Sequence, residues 1–397
     1  MTKSYNTIVL GLGAMGSATL YQLAKRGDNV LGIDKYDPPH TMGSSHGDSR
    51  ITRQAIGEGV EYTPLALRSY EIIRELEDKT AHRLLLACGG LMISNKQSQG
   101  VHHVQNFFDT TVAAATEHHI KHEILDAIDI KRRFPAFKVA AHEYAYYEPE
   151  AGILYPEKCI STQIDVAKSM GAAVHTGEEV LSYKETIDGV IVKTTIGEYA
   201  AKQLIITAGP WLPELLNKQS GLSKLSDYFK IVRQVMYWFD IKEHYQNFKP
   251  GHFPIFIWEG YGDLASSYGF PAIDGPDGGL KMASPKFNEI VTPDTIDRKV
   301  SQAAIDEIYD AQVSKCFDGV GRTCLRTAVC MYTDTHDSRF VMGKLPGSNH
   351  TIIASPCSGH GFKHSPAIGE CLAQLALDGA SKLDISGFGV ASIFLTC

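Results

Sequence analysis

The chain has 397 residues, of which 44% are apolar and 21% are charged. This length exceeds what one compact core usually holds, so we expect two globular units and exclude a small disulfide-stapled or disordered protein. The 38 basic and 45 acidic residues give a net charge of −7, and no long basic run occurs. A nucleic acid or an anionic membrane therefore has no electrostatic basis as a partner, and a small molecule is expected instead.

Cysteine usage and the start of the chain bear on its compartment. The eight cysteines are too sparse for a disulfide framework and show no paired C-x-x-C spacing, which predicts reduced thiols and no structural zinc. The first ten residues lack the zones of a signal peptide, and nowhere do 18 apolar residues follow one another. We therefore expect a cytoplasmic protein that does not span a membrane.

A βαβ unit with a glycine-rich turn opens the chain. A short apolar strand at residues 7–10 enters the turn Gly11-Leu12-Gly13-Ala14-Met15-Gly16, and a helical pattern follows. The three glycines allow a tight turn, bare backbone beside a pyrophosphate, and close packing of helix on strand. A second strand at residues 30–33 ends at Asp34, where a carboxylate would accept ribose hydroxyls. This pattern predicts a dinucleotide site for NAD or FAD rather than NADP.

The later segments alternate between two environments. A helix is predicted at residues 63–76, a strand at 84–93, and a buried strand beginning at Leu204 that returns to the first unit. An apolar helix is predicted at 366–377. The pattern predicts an α/β protein with interleaved domains. The nucleotide-binding domain is predicted at 1–80, 145–215 and 321–397, and a β-rich substrate domain at 81–144 and 216–320.

Two arginines stand in an unusual loop after the second strand. Residues 43–53 read Gly-Ser-Ser-His-Gly-Asp-Ser-Arg-Ile-Thr-Arg. Arg50 and Arg53 could reach a flavin, a carboxylate group, or both. The alternative is a solvated loop in which the two arginines pair with Asp48 and Glu58.

A second glycine-rich turn lies near the other end of the chain. Residues 357–363 read Cys-Ser-Gly-His-Gly-Phe-Lys and precede a helix. Glycine flexibility there meets a positive helix end, which could stabilise the negative charge of a reduced flavin. An ordinary turn with a snorkelling Lys363 is the alternative.

His118 and His122 are spaced for a metal on one helix face. Ile120 and Leu125 indicate a transition from helix to strand, and no third ligand motif follows. A solvated polar turn is expected, and no metal is predicted.

Four segments together resemble the family of monomeric sarcosine oxidase and N-methyltryptophan oxidase. They are the turn at Gly11, residues 43–50, Cys-Met-Tyr-Thr at 330–333, and Ser-Gly-His-Gly-Phe-Lys at 358–363. The resemblance implies a Rossmann-type FAD domain of the glutathione-reductase type and an interleaved β-rich substrate domain. It also implies a monomer that oxidises secondary amino acids with O₂ and releases hydrogen peroxide.

The resemblance implies a covalent flavin. Cys330 matches the cysteine that forms a thioether with the 8α-methyl group, and Arg50 would supply a positive field for its thiolate. The thiol alone does not separate Cys330 from Cys324 or Cys357. The residues expected to bind FAD are Gly11, Gly13, Ala14, Met15, Gly16, Asp34, Lys35, Ser44, Ser45, Arg50, Ile51, Val180, Ala208, Gly209, Trp211, Cys330, Met331, Gly359, His360, Gly361, Phe362 and Lys363.

The resemblance also assigns the substrate side. Arg53 and Lys363 would hold the substrate carboxylate so that the α-carbon faces the flavin. Tyr268 and Tyr332 match residues that line the substrate cavity, although tyrosines in strands are more often ordinary packing residues. Hydride transfer requires a neutral amine, and a positively lined site lowers the pKa of an amine, so no dedicated base is expected.

The oxygen side and the departures from the family complete the expectation. Lys281 matches the lysine that assists oxygen reduction, the alternative being a surface lysine. Pro285 replaces a family histidine, and His46 is the one imidazole left of a family His-His pair. We count Lys281, Arg50 and His46 with the catalytic residues. The departures favour a larger N-alkyl substrate or a cyclic imino acid over sarcosine.

Three alternatives to this function remain open. Pro285 leaves room for a cyclic imino acid oxidase of the pipecolate type. An FAD dehydrogenase that passes electrons to a quinone or a protein is a second alternative, against which Lys281 argues. A flavin-binding protein without turnover is the third, because an active-site histidine is missing.

Overall fold

The computed structural model describes residues 3–98, 100–101, 104–219, 221–390 and 393. Cys397, the last of the eight cysteines, lies outside these residues, and the other seven cysteines are all free thiols. The strands are β1 (Lys3–Leu10), β2 (Val30–Ile33), β3 (Arg50–Thr52), β4 (Leu85–Ala87), β5 (Gly90–Ser94), β6 (Glu123–Asp126), β7 (Tyr144–Glu148), β8 (Gly152–Leu154), β9 (Ala173–His175), β10 (Val180–Thr186), β11 (Gly189–Thr194), β12 (Glu198–Ile206), β13 (Phe229–Ile241), β14 (Ile255–Trp258), β15 (Ser267–Phe270), β16 (Leu280–Ala283), β17 (Val320–Thr335), β18 (Val341–Lys344) and β19 (Thr351–Ser355).

The helices are mostly short, and several begin with a proline in the first turn, where its missing N–H costs nothing. They are α1 (Ala14–Lys25), α2 (Thr63–Thr80), α3 (Phe107–Glu117), α4 (Ala127–Arg133), α5 (Pro156–Ser169), α6 (Leu212–Asn217), α7 (Ser223–Asp227), α8 (Gln302–Ile308), α9 (Ser314–Cys316) and α10 (Ser365–Asp378). Within the residues described, no helix is long and apolar enough to cross a membrane.

The first sheet has eight strands around a parallel centre. β1 pairs in parallel with both β2 and β12, β2 with β9, and β12 with β19. β10, β11 and β18 add antiparallel strands. Helices α1, α2, α5 and α10 bury one face of the sheet in an aliphatic core, and α6 and α7 cover the other. The parallel strands therefore end together at one edge, where ligands bind in such sheets.

The second sheet, also of eight strands, runs β17-β13-β16-β15-β14-β5-β7-β6. Its pairs are antiparallel except β5 with β14. One face is filled by a cluster of buried rings, in which Phe137 and Phe253 stack with centroids 4.4 Å apart. Aromatic pairs of this kind contribute beyond their buried area, so this face forms a separate core.

A third, small sheet has the strand order β3-β8-β4. In sequence, β3 and β4 come between strands of the first and second sheets, and so does β8. Strand β3 begins at Arg50, and β8 pairs with both β3 and β4. The strand predicted at residues 84–93 is thus two strands, because Gly89 adopts a φ of +81° between them. Each half joins a different sheet.

The mixed α/β fold class is confirmed, and several elements lie where the sequence predicts them. The strand predicted at residues 30–33 has the same bounds as β2, and the helix predicted at 366–377 corresponds to α10. The division into domains stays a prediction. β17, most of which that division assigns to the nucleotide-binding domain, pairs along its length with β13 in the second sheet.

Candidate active site

A large cavity lies where the parallel strands of the first sheet end, and it reaches the second sheet. Gly11, Asp34, Thr207 and Ser355, which end or follow β1, β2, β12 and β19, line it together with Tyr268 from β15. The lining includes every residue expected to bind FAD except Gly16 and Met331. Both glycine-rich segments, which are more than 300 residues apart in sequence, therefore face one space.

The turn after β1 is shaped for a ligand. A Cβ on Gly16 would lie 1.7 Å from the carbonyl oxygen of Gly11, so Gly16 serves the close packing of helix on strand and does not line the cavity. Around Gly13 a Cβ would meet nothing within 4 Å, which means that the space beside it is open. Helix α1 begins at once, with no side-chain cap at its N-terminus. Uncapped amides beside open space suit a phosphate group.

Asp34 is held by the backbone around the turn. The amide of Leu12 donates to its Oδ2 at 2.6 Å, and the amide of Tyr36 donates to its Oδ1 at 2.8 Å. His40 Nε2 lies 3.6 Å from the same Oδ1. A carboxylate has about four acceptor sites, so a fixed Asp34 on the cavity wall retains capacity for ligand hydroxyls.

Lys281 anchors the loop at residues 43–53 through three hydrogen bonds. Its Nζ donates to the carbonyl oxygens of Gly47 at 2.6 Å and Ser49 at 2.9 Å, and to the Ser49 hydroxyl at 2.9 Å. Lys281 is buried under the loop and does not line the cavity, so the surface-lysine alternative is wrong. Burial lowers its pKa well below the ordinary value, and the charge of Arg50 acts in the same direction.

Arg50 on β3 and Cys330 on β17 both line the cavity. The Arg50 guanidinium donates to the carbonyl oxygens of Ser44 at 2.7 Å and Ser49 at 2.9 Å. Cys330, on β17, is buried in the wall. Burial raises the pKa of the Cys330 thiol, while the charges of Arg50 and Lys281 oppose that rise.

The geometry narrows the choice of cysteine. Cys324 does not line the cavity, and its Sγ lies 3.1 Å from the carbonyl oxygen of Arg326. Cys357 does line it, and its Sγ accepts a hydrogen bond from the amide of Thr333 at 3.3 Å. Cys330 and Cys357 therefore remain as candidates for a bond to a ligand.

Arg53 and Lys363 meet around a buried acid. Arg53 Nη2 pairs with Glu58, and its Nη1 donates to the carbonyl oxygen of Ala55 at 2.6 Å. Lys363 Nζ donates to the carbonyl oxygen of His360 at 2.7 Å and lies 3.9 Å from Glu58 Oε1. Burial lowers the pKa of Lys363 to about 7, against the charge of Glu58 and with that of Arg53. Two cationic groups here share one counter-charge, so a second anion is matched by charge.

The solvated-loop alternative holds only in part. Arg53 does pair with Glu58, but both side chains are almost fully buried. Asp48 pairs with Arg326, not with Arg50. The loop is therefore a packed wall of the cavity.

Aromatic and small side chains complete the wall. The hydroxyls of Tyr268 and Tyr332 lie 3.2 Å apart, and Pro285 and Phe270 line the same region. His46 is buried behind the wall and does not line the cavity. Burial lowers the pKa of His46 to about 3, with the charges of Arg50 and other cations adding to it, so this imidazole is neutral.

His118 and His122 do not lie together on one helix face. Helix α3 ends at Glu117, and His122 Nδ1 lies 2.8 Å from the carbonyl oxygen of Ile120. The His122 ring stacks on Tyr146. Among the residues described, no group of three or more metal-ligating side chains occurs. The expected turn is present.

Sequence reasoning missed two residues of the site. Glu58 entered only as a partner on a solvated surface, because the burial of its side chain follows from contacts with distant segments. Thr207 was not singled out, although a small polar residue directly after a parallel strand is a recognisable signal. Its hydroxyl lies 2.7 Å from the carbonyl oxygen of Gly11 and 3.0 Å from that of Leu10, so it buttresses the turn.

Solved structures share this fold over nearly the whole chain. NikD, described as an unusual amino acid oxidase essential for nikkomycin biosynthesis, is 22% identical, with a TM-score of 0.81 and coverage of 98% of each chain. L-proline dehydrogenase from P. horikoshii is 19% identical, with a TM-score of 0.78, over 98% of this chain and 97% of its own. At such identities the likeness concerns the fold.

Sequence relatives are more similar. A protein named monomeric sarcosine oxidase from Streptomyces avermitilis is 40% identical over 98% of this chain and 97% of its own. N-methyl-L-tryptophan oxidase from Yersinia pestis is 32% identical over 98% of this chain and 99% of its own. The family described as FAD dependent oxidoreductase matches residues 6–375. The chain therefore belongs to the FAD dependent oxidoreductase family, and FAD is its cofactor.

Proposed function

We propose that the protein is an FAD-dependent oxidase of secondary amino acids with N-methyl or N-alkyl groups. The observation that carries the proposal is the single cavity that joins the open turn at Gly13 to the cationic pair Arg53 and Lys363. The names of the relatives, which are oxidases of sarcosine and of N-methyl-L-tryptophan, support a secondary amine as substrate. The seven free cysteines and the name of the first relative support a monomer in the cytoplasm.

The residues at the first sheet would hold the cofactor. The amides at the start of α1 and Gly13 would receive the pyrophosphate, and Asp34 the ribose hydroxyls. Cys330 would carry a thioether bond to the flavin, since it is buried in the cavity wall and the charge of Arg50 favours its thiolate. When bound, FAD supplies the acceptor for a hydride from the substrate carbon.

The cavity residues away from the turn at Gly13 would bind and orient the substrate. Arg53 and Lys363 would hold its carboxylate, since they already surround the single carboxylate of Glu58. Their charges favour the neutral form of the substrate amine, which must offer a lone pair. Tyr268 and Tyr332 would bound the N-alkyl group and exclude water from it.

We assign the oxygen side to Lys281. Its Nζ lies 4.5 Å from the ring centroid of Phe270, which lines the cavity, and a positive charge there would stabilise charge that develops on oxygen. The same lysine anchors the loop at Gly47 and Ser49, so it would have two duties.

One observation favours a second candidate, a cyclic imino acid oxidase of the pipecolate type. Pro285 lines the cavity and offers no donor or acceptor from its side chain, which leaves an apolar wall where a ring could lie. A panel of amine substrates separates the two candidates.

The test is anaerobic reduction of the purified flavoprotein, followed by peroxide release in air. Sarcosine, larger N-methyl amino acids, proline and pipecolate are compared. The proposal expects bleaching of the flavin by N-methyl or N-alkyl amino acids and one peroxide for each turnover. Bleaching only by the cyclic acids would favour the second candidate, and bleaching without peroxide would indicate a dehydrogenase. No bleaching by any member would overturn the proposal.

Replacing the attachment residue tests the covalent bond separately. In Cys330→Ser, acid precipitation should release all of the flavin into solution, whereas the unchanged protein keeps it in the pellet. Cys357→Ser is the matched control, because Cys357 lines the same cavity, and it should keep its flavin. Flavin retained in Cys330→Ser and lost in Cys357→Ser would move the bond to Cys357.

A further inference from the structure

Residues 286–300 form a segment that we call the strap. It runs beside the first part of β13, which β16 does not reach. The amide of Arg233 donates to the carbonyl oxygen of Glu289 at 3.0 Å, and the amide of Val291 donates to that of Ile231 at 2.8 Å. These bonds fix the first part of the strap to the sheet.

The side chain of Arg233 fixes the last part of the strap. Its Nε donates to the carbonyl oxygen of Asp297 at 2.6 Å, and its Nη2 donates to that of Lys299 at 2.8 Å. The two bonds clamp the backbone on either side of Arg298. The guanidinium of Arg233 is planar and has a fixed fork of donors, so this clamp sets the direction in which Arg298 leaves the strap.

Arg298 reaches from the strap to two segments of the cavity wall. Its Nη2 donates to the carbonyl oxygen of Met42 at 2.7 Å, and its Nη1 lies 3.1 Å from that of Thr41 and 3.3 Å from that of Val329. Thr41 and Met42 directly precede Gly43, which lines the cavity. Val329 directly precedes Cys330. One side chain therefore joins the start of the loop to the strand that carries the thiol.

The charge of Arg298 also acts on this region. It is one of three cations, with Arg50 and Lys281, that favour the thiolate of Cys330 against burial. Arg298 itself does not line the cavity. Any effect of this residue on a ligand is therefore indirect, through the segments that it holds or through its charge on Cys330.

We propose that Arg298 is a positioning residue that sets Cys330 against the bound flavin for formation of the covalent bond. The proposal rests on the assignment of Cys330 as the attachment residue. In the net reaction the thiol loses its S–H hydrogen and the 8α-methyl group loses one C–H hydrogen as the C–S bond forms. The two electrons and two protons pass to dioxygen, which leaves as hydrogen peroxide. The sequence could not indicate this role, because Arg298 is more than 250 residues from Met42 and belongs to no motif.

The experiment uses the full chain produced without a flavin supply and then mixed with FAD in air. Two quantities are measured, the dissociation constant of FAD before attachment and the rate at which flavin becomes resistant to acid. In Arg298→Met the rate should fall at least about tenfold, while the dissociation constant stays within about twofold. Arg298→Lys keeps the charge but not the forked donors of the guanidinium group. Its attachment rate should lie between the rates of the unchanged protein and of Arg298→Met.

The control is Lys299→Met, one residue along the strap, whose exposed side chain makes no described contact. It should match the unchanged protein in both quantities. Attachment at the unchanged rate in Arg298→Met would overturn the proposal, and so would equal losses of FAD affinity and attachment rate. If Arg298→Met does not fold, Arg298→Lys decides by the same criteria. An acid-resistant flavin in Cys330→Ser would instead overturn the attachment residue itself.

Discussion

Single charged side chains in this site are defined by what surrounds them more than by their type. Lys363 is almost fully buried with Arg53, Glu58, His360 and His364 around it. Lys281 is equally buried, but its nitrogen is saturated by three oxygens of one loop. The first lysine is therefore suited to exchange its partner for a ligand, and the second to hold a loop in place.

The pH dependence of anion binding should report Lys363. Below its pKa of about 7 the side chain is a cation, and above that pH it is neutral in the empty site. Affinity for a carboxylate inhibitor such as acetate should therefore fall as pH rises through about 7, by up to about tenfold for each pH unit. Titration of the flavin spectrum measures it.

Substitution should remove this dependence. Lys363→Met should bind the carboxylate weakly, with a flat profile, while Lys344→Met, at an exposed position on β18, should keep the slope. A slope that survives in Lys363→Met would assign the titration to another group.

Loss of the ammonium group of Lys281 should separate the two halves of the proposed reaction. Lys281→Met should reduce the rate of flavin reoxidation by O₂ about 10²- to 10³-fold, because it removes a positive charge beside the site where charge develops on oxygen. Anaerobic reduction by substrate should change far less. Stopped-flow absorbance measures both rates, and Lys286→Met, an exposed lysine paired with Glu307, is the control. Equal losses in both half-reactions would leave Lys281 with its anchoring duty alone.

Among the elements, the turn between β1 and α1 contains one glycine that the fold requires and, three residues away, one that ligand binding requires. Gly16 is needed by the protein, because its Cβ position overlaps the backbone of Gly11. Gly13 is bordered by open space, so the protein has no steric need for a glycine there. A sequence motif that reads as one unit thus contains two separate physical requirements.

Two alanine variants in the Cys330→Ser background, where we expect flavin binding to be reversible, should show this division. Gly13→Ala should leave the thermal midpoint of the flavin-free protein unchanged and weaken FAD binding about tenfold or more, since a methyl group would occupy the space of the pyrophosphate. Gly16→Ala should lower that midpoint, because overpacking typically costs about 1 to 3 kcal/mol. Calorimetry and flavin titration give both numbers. A destabilised Gly13→Ala would contradict the assignment.

Local sequence patterns predicted the helices, strands and turns of the site well. They did not predict features that depend on contacts between residues distant in sequence. The turn at Gly11 and the strand ending at Asp34 follow from neighbouring residues, so periodicity and glycine spacing sufficed. The break at Gly89 divides one apolar run between two sheets, a choice that only tertiary pairing makes. Glu58 and Arg298 gain their roles from partners hundreds of residues away, which single-sequence patterns do not encode.

At the scale of the whole molecule, the cavity couples the two large sheets. Its wall takes Asp34 from the edge of the first sheet and Cys330 and Tyr268 from the second. A ligand that fills it binds the folded chain and not the unfolded one. Its binding free energy therefore stabilises both sheets together.

Thermal unfolding of Cys330→Ser should reflect this coupling. At a free FAD concentration one hundred times its dissociation constant, the free energy of unfolding should rise by about 2.7 kcal/mol, and the whole transition should move upward. Calorimetry at several FAD concentrations measures the shift, with Gly13→Ala in the same background as the weak-binding control. A second transition that ignores FAD would show that one sheet unfolds independently.

The hydroxyl of Thr207 that supports Leu10 and Gly11 has a consequence for biosynthesis. β1 leaves the ribosome almost two hundred residues before β12, the neighbour that completes its turn. The nascent chain thus carries an incomplete nucleotide site until β12 and Thr207 are made, and Cys330 and Lys363 emerge later still. Cofactor loading must therefore follow synthesis of the chain at least as far as Lys363.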